Sequence, residues 1–213
     1  MKFLFTLLTF VSFATISFGQ DAQAQAILDK LSKKINSHSS FYVEFSANIK
    51  NTSTGTNETE TGKGWVKGNK YYASFGNNTI ISNGLKTWTI VKEEKMVYES
   101  DADEDDEESI NPKKLMTIWE TGFKNKYGKE MTLNGETVHV IYLYPKKPAD
   151  VDYHTIVLYI SKTKNEMVKV IMKTKDGTNM TYVLKKYSPN PEVGDSKFVF
   201  NAAKYPGYSV IKD

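Results

Sequence analysis

Gly62-Lys63-Gly64-Trp65-Val66-Lys67-Gly68-Asn69-Lys70-Tyr71-Tyr72-Ala73-Ser74-Phe75-Gly76-Asn77-Asn78-Thr79-Ile80-Ile81-Ser82-Asn83-Gly84-Leu85-Lys86-Thr87-Trp88-Thr89-Ile90-Val91 is the stretch on which the fold turns. It reads as three short antiparallel strands. One holds Trp65, one runs from Tyr71 to Phe75, and the third leads from Ile80-Ile81 through Ser82-Asn83-Gly84 to Trp88 and Ile90. Asn-Gly between two apolar runs is a strong hairpin signature, because both central positions of the favoured turn take positive φ. The apolar side chains here are mostly large and aromatic. Such rings either fill an ordinary sandwich core or line one concave face of a curved sheet and leave a lipid-sized hollow; the bare pattern fits both.

Upstream, Asp21 is placed to cap a helix running to about Ser37. Ala24, Ile27, Leu28, Leu31 and Ile35 form a single apolar stripe, with Lys30, Lys33 and Lys34 on the other side. A helix with one such stripe lies on something apolar, here a sheet. Phe41 to Ile49 alternates apolar and polar residues as a strand with one buried face, and Asn51 to Gly62 reads as a polar turn region. Downstream, Lys95 to Glu99, Met131 onward with a turn at Asn134-Gly135, Val138 to Tyr144, His154 to Ile160, Met167 to Lys173 and Met180 to Leu184 all read as strands. Phe198 to Phe200 and Tyr208 to Ile211 close the chain. Asn111-Pro112 starts a second, unusually apolar helix that ends at Gly122. Ten or eleven strands with no helix between successive strands describe an antiparallel meander, mainly β, rather than a βαβ protein.

Residues 1–19 read as a secretory signal peptide. Lys2 precedes the apolar run Phe3 to Ile16, and Ser17-Phe18-Gly19 offers small residues for cleavage before Gln20. The run is shorter than the ~20 apolar residues of a spanning helix. Residues 20–213 then form one exported domain. The formal net charge is +3, or +2 without Lys2, which favours neither nucleic acid nor a strongly charged membrane as partner. All 28 basic residues are Lys, so bidentate Arg recognition of phosphate or carboxylate is not available. Cysteine is absent. No disulfide, thiolate nucleophile or Cys-linked lipid anchor can form.

Catalytic patterns are missing. His38, His139 and His154 are scattered without an HExxH spacing and read as hydrogen-bonded structural residues. There is no GxSxG elbow. Gly62, Gly64 and Gly68 precede strand-like sequence rather than a phosphate-cradling helix. Glu99, Asp101, Asp103, Glu104, Asp105, Asp106, Glu107 and Glu108 lack the order of a calcium-binding loop and read as a solvated, self-repelling segment beside the apolar helix. The expectation is a non-enzyme with no cofactor and no metal.

The mature chain resembles the LolA family of periplasmic outer-membrane lipoprotein carriers. The residues that carry the resemblance are Ser39-Ser40-Phe41-Tyr42-Val43-Glu44-Phe45, Gly64-Trp65-Val66-Lys67, Ile81-Ser82-Asn83-Gly84-Leu85-Lys86-Thr87-Trp88 and Asp195-Ser196-Lys197-Phe198-Val199-Phe200. The resemblance implies an unclosed antiparallel β-barrel of about eleven strands, with helices plugging a hydrophobic cavity that accepts lipoprotein acyl chains. It further implies a monomer in the periplasm, an inner-membrane lipoprotein-releasing ABC transporter that loads it, and an outer-membrane acceptor. The chain departs from the family after Trp65-Val66-Lys67. Where the best-known members have Arg-Pro, it has Gly68-Asn69, with the following aromatic kept as Tyr72. Lys67 and Lys70 are the nearest cations, and they are point charges without a fork of donors.

On this reading Trp65, Tyr72, Phe75, Ile81, Trp88, Ile90, Ile156, Leu158 and Tyr182 line the lipid-binding cavity, and Leu115, Met116 and Trp119 form its lid. Exposing an acyl chain to water costs about 0.8 kcal/mol per CH₂, so three chains of about 16 carbons would cost on the order of 40 kcal/mol unshielded. A carrier replaces that burial with its own apolar surface. The alternative function is a periplasmic sensor or carrier domain for another lipid or a partner protein.

Overall fold

The computed structural model describes residues 21–102 and 116–212. The expected signal peptide, Asp103 to Glu108 of the acidic run and the first half of the expected lid helix, Leu115 included, lie outside the described residues. Helix α1 spans Ala22–Asn36, with Asp21 as its cap: the carboxylate accepts from the Gln23 and Ala24 backbone N–H groups at 3.0 and 3.1 Å. Ala24, Leu28, Leu31 and Ile35 are buried, as the stripe requires. A 15-residue helix is marginal alone in water. Burial of Leu28, Leu31 and Ile35, at about 2 kcal/mol each, therefore holds it to the sheet.

The strands are β1 (Ser40–Asn51), β2 (Thr56–Lys67), β3 (Lys70–Phe75), β4 (Asn78–Ser82), β5 (Lys86–Val91) and β6 (Met96–Asp101). They continue with β7 (Phe123–Leu133), β8 (Glu136–Pro145), β9 (Tyr153–Ser161), β10 (Met167–Thr174), β11 (Asn179–Pro189) and β12 (Ser209–Lys212). All twelve join one unclosed sheet in the order β12-β6-β5-β4-β3-β2-β1-β11-β10-β9-β8-β7. The mainly β, unclosed-barrel architecture is the one expected, and the two hairpin series meet where β1 pairs with β11.

Four local expectations are corrected. The quoted stretch holds parts of four strands, because residues 83–85 form a turn that divides the expected third strand into β4 and β5. Residues 56–62 are strand, not turn: the β1–β2 hairpin runs on to Asn51↔Thr56, with Thr59 and Thr61 alternating with Glu58 and Glu60 along a solvated ladder. Asn83 does not adopt positive φ; its carboxamide accepts from the Leu85 and Lys86 N–H groups while Gly84 alone takes φ +85°. The turn with both central residues at positive φ is Asn134-Gly135, at 49° and 81°. Finally, Phe198 to Phe200 is not a strand, Phe198 closing the 3₁₀ turn Asp195–Phe198, and β12 pairs with β6 in parallel, so the meander is not antiparallel throughout.

The two faces of the sheet bury separate clusters. The face toward α1 packs Phe41, Val43, Val66, Tyr71, Ile80, Ile141, Leu143, Ile156, Leu158 and Ile160 with the helix stripe, Trp119 and Phe123. The outer face gathers Ile81, Trp88, Ile90 and Val97 with Tyr72, Phe200, Tyr205 and Tyr208. The C-terminal segment 194–208 therefore acts as a strap over the outside of β2 to β6.

Candidate functional site

Strand pairing decides which predicted site residues share a wall. Trp65↔Tyr72, Tyr72↔Ile81, Ile81↔Trp88 and Trp88↔Glu99 are successive cross-strand partners, with Tyr42↔Trp65 before them. Partners directly opposite point to the same face. One row thus crosses six strands, and it lies under the strap. Ile90 is on that face too, fully buried with Ile81 and Val97. Phe75, Ile156, Leu158 and Tyr182 belong to the helix-facing side: Phe75 stacks on Phe45, which meets Tyr182, and the two aliphatic residues pack under α1. The nine residues expected on one wall are therefore divided. Trp65, Tyr72, Ile81, Trp88 and Ile90 do not face the helix side; strap rings gather over Ile81, Trp88 and Ile90, and Lys197 of the strap lies over Trp65 and Tyr72.

The row under the strap is polar at both of its anchor points. Asp195 receives 2.8 Å bonds from the Lys67 and Lys70 ammonium groups, and these hold its carboxyl down at about 2. Among the described residues, Lys67 and Lys70 are thus engaged with the strap. The Lys197 ammonium lies 3.9 Å from the Trp65 ring centroid and 3.8 Å from that of Tyr72. Burial, followed by the nearby Lys63 and Lys204 charges, lowers its pKa. The faces of the two rings supply the negative potential that water would otherwise supply. At the far end Trp88 donates its indole N–H to Glu99, which also meets Lys86.

On the helix-facing side, three aromatic rings, Phe45, Phe75 and Tyr182, are half-buried and stand outside both buried clusters. Gly62 makes their arrangement possible. A Cβ there would fall 2.2 Å from Phe45 Cζ, so the ring lies flat across the glycine backbone of the neighbouring strand. Burial raises the Tyr182 phenol pKa. Between α1 and β10–β11 a slot of about 10 Å³ remains, lined by Leu31, Ile35, Met116, Met167, Leu184 and Tyr187. That is room for about one water and no hydrocarbon. Lys34 and Glu166, 2.8 Å apart, sit at its lip.

Of the expected lid, Met116 and Ile118 pack against the helix-side cluster and Trp119 is buried. Residues Ile118–Glu120 form a 3₁₀ turn, and Gly122 at φ +80° ends it. The Trp119 indole donates to the Ser32 hydroxyl at 2.8 Å, and Asn36 donates to Glu120. These two hydrogen bonds tie this end of the segment to α1. The histidines are hydrogen-bonded: His38 to Tyr187, His139 to Tyr127 and His154 to Thr155. Among the described residues no group of three His, Cys, Asp or Glu is placed to hold a metal ion.

Sequence reasoning placed Phe45 on the buried face of its strand but not in the site, and it missed Tyr71 and Ile80 as helix-side residues. Each neighbours an apolar residue or a glycine partner, so alternation alone could not choose the face; the Phe45–Gly62 pairing was the available clue.

The fold has solved counterparts. An uncharacterized conserved protein from Thermus thermophilus aligns over 90% of this chain and 99% of its own, at 10% identity and TM-score 0.57. A LolA superfamily protein from Nitrosomonas europaea aligns over 83% and 97%, at 13% identity and TM-score 0.44. A DUF1329 family protein from Desulfovibrio piger aligns over 85% and 98%, at 12% identity and TM-score 0.47. No curated protein matches the sequence. The family model described as outer membrane lipoprotein carrier protein LolA matches residues 15–179, and the chain belongs to that family.

Proposed function

We propose that this chain is a periplasmic carrier that holds the acyl chains of lipoproteins against the helix-facing side of its half-open barrel, for passage from inner to outer membrane. Phe75, Ile156, Leu158 and Tyr182, joined by Phe45, form the acyl-binding wall, and the segment containing Leu115, Met116 and Trp119 covers it. The observation that carries this reading is the half-buried Phe45–Phe75–Tyr182 group, which continues the helix-side apolar face beyond the cluster that α1 seals.

The slot under α1 has space for about one water. Uptake into that slot requires α1 and the Met116–Trp119 segment to move apart from β10 and β11, and a ligand that binds only the open form shifts the population toward it. Loading against the cost of leaving a membrane falls to an energised inner-membrane partner of the ABC-transporter class, and delivery to an outer-membrane acceptor. The protein binds and releases; it carries out no bond chemistry.

The test is titration of delipidated protein with a fluorescent fatty acid. Saturable binding that Phe75→Asp abolishes and Trp65→Ala leaves intact supports the proposal. Absence of saturable binding, or loss with Trp65→Ala alone, overturns it.

A further inference from the structure

The net charge of the chain is small, but its charges are segregated. On the outer face of β7 to β10, away from the strap, register places lysines opposite tyrosines: Lys124↔Tyr144, Lys126↔Tyr142 and Lys169↔Tyr159. Lys129 and Lys173 extend the same face through Lys129↔Val140 and Lys173↔Thr155. Lys124, Lys126, Lys129 and Lys173 are exposed, and none of these five lysines has an ion-pair partner among the described residues. Glu136, at the far end of the face, is already bonded to Ser161 and Lys164. Asp150 and Asp152 lie in the β8–β9 connection, off the strands. Tyr142 and Tyr144 stack with centroids 6.5 Å apart, Tyr144 is 39% exposed, and the Lys169 ammonium sits 5.0 Å from the Tyr159 centroid.

We propose that this lysine–tyrosine face of β7 to β10 docks the protein on a membrane surface rich in anionic phospholipid. Lysines without ion-paired carboxylates attract a negative surface, and each contributes additively near it. Of the five, Lys126 lies near a carboxylate charge, that of Asp21. The chemistry favours a fluid array of headgroups over a fixed phosphate site. Lysine is a hydrated point charge on a flexible stem, and the chain has no Arg to form a bidentate fork. Tyrosines with an apolar body and a polar tip suit headgroup depth. The face lies outside the barrel, so a docked protein keeps its helix-facing side free. The inference rests on the carrier reading only in supposing that the chain meets a membrane.

The test is co-sedimentation of the full mature chain with vesicles of phosphatidylcholine alone, or mixed equally with phosphatidylglycerol, in low and high salt. Expected is binding to the anionic vesicles only, released by salt, and weakened roughly fivefold per lysine removed in Lys124→Gln/Lys126→Gln and further in the variant that adds Lys169→Gln and Lys173→Gln. Lys30→Gln/Lys33→Gln, which removes equal charge from α1, should leave binding unchanged. Phe75→Asp separates the two proposals: it should abolish fatty-acid binding while leaving salt-sensitive vesicle binding intact. Equal binding to neutral vesicles, binding lost with Phe75→Asp, or no difference between the two lysine pairs overturns the docking face. Capture of poly-glutamate but not of anionic vesicles also overturns it and assigns the face to an acidic protein.

Discussion

The Lys197 ammonium stands 3.8 Å from the centroid of the Tyr72 ring, on the side of the sheet opposite helix α1. That one contact moves Tyr72 and its partner Trp65 out of any helix-side cavity and makes them the seat of the C-terminal strap. The strap thereby braces β2 and β3 from outside, while Val66, Tyr71 and Phe75 of the same strands face inward.

Replacing Lys197 by Glu puts a negative charge against two ring faces and should loosen the strap. The lost cation–π contact is about 1 kcal/mol, or a fall in Tm of about 2–4 °C in a chain of this size. Differential scanning calorimetry reads the shift. Fatty-acid affinity should be unaffected, because the contact lies on the other face.

Acid should release the strap in a defined window. The Asp195 carboxyl is held at about 2, below its ordinary value of 3.8, by its bonds to Lys67 and Lys70. A depressed carboxylate contributes stability that is complete above the unfolded value and is lost as the pH falls through the folded one. Trp65 fluorescence should therefore change between about pH 4 and pH 2. In Asp195→Asn that step should be absent.

Gly62→Ala should displace the Phe45 ring, because the added Cβ would lie 2.2 Å from Cζ. We expect a loss of about 1–3 kcal/mol in chemical denaturation. Acyl binding should weaken as the Phe45–Phe75 stack opens.

Trp119→Phe keeps the buried ring but removes the donor to Ser32. The expected cost is about 1 kcal/mol of stability. Its more telling effect is on exchange: backbone amides of residues 116–120 should exchange faster with deuterium, because the tie to α1 is cut.

The period-two patterns, the capped helix stripe and the Asn134-Gly135 turn were legible because each depends on residues close in sequence. The division of the site was not. Trp65-Val66, Tyr71-Tyr72 and Ile80-Ile81 put apolar side chains on both faces of their strands, and alternation carries no sign when both faces are covered. What covers the outer face is a segment more than 100 residues away in the chain: Phe200 and Tyr205 over the β3 to β5 row. The same distance hid the roles of Lys67 and Lys70, whose partner is Asp195. Segregated surface charge was equally hidden, since net charge averages over faces that only strand register reveals.

The central claim is that the helix-facing wall, and not the row under the strap, meets the acyl chains. Site-specific photo-crosslinking tests it most directly, with benzoyl-phenylalanine placed at Tyr182 or at Trp65 and a triacylated lipoprotein as ligand. The account predicts a lipoprotein adduct from position 182 and none from position 65. Adducts from position 65 with none from position 182 would contradict it.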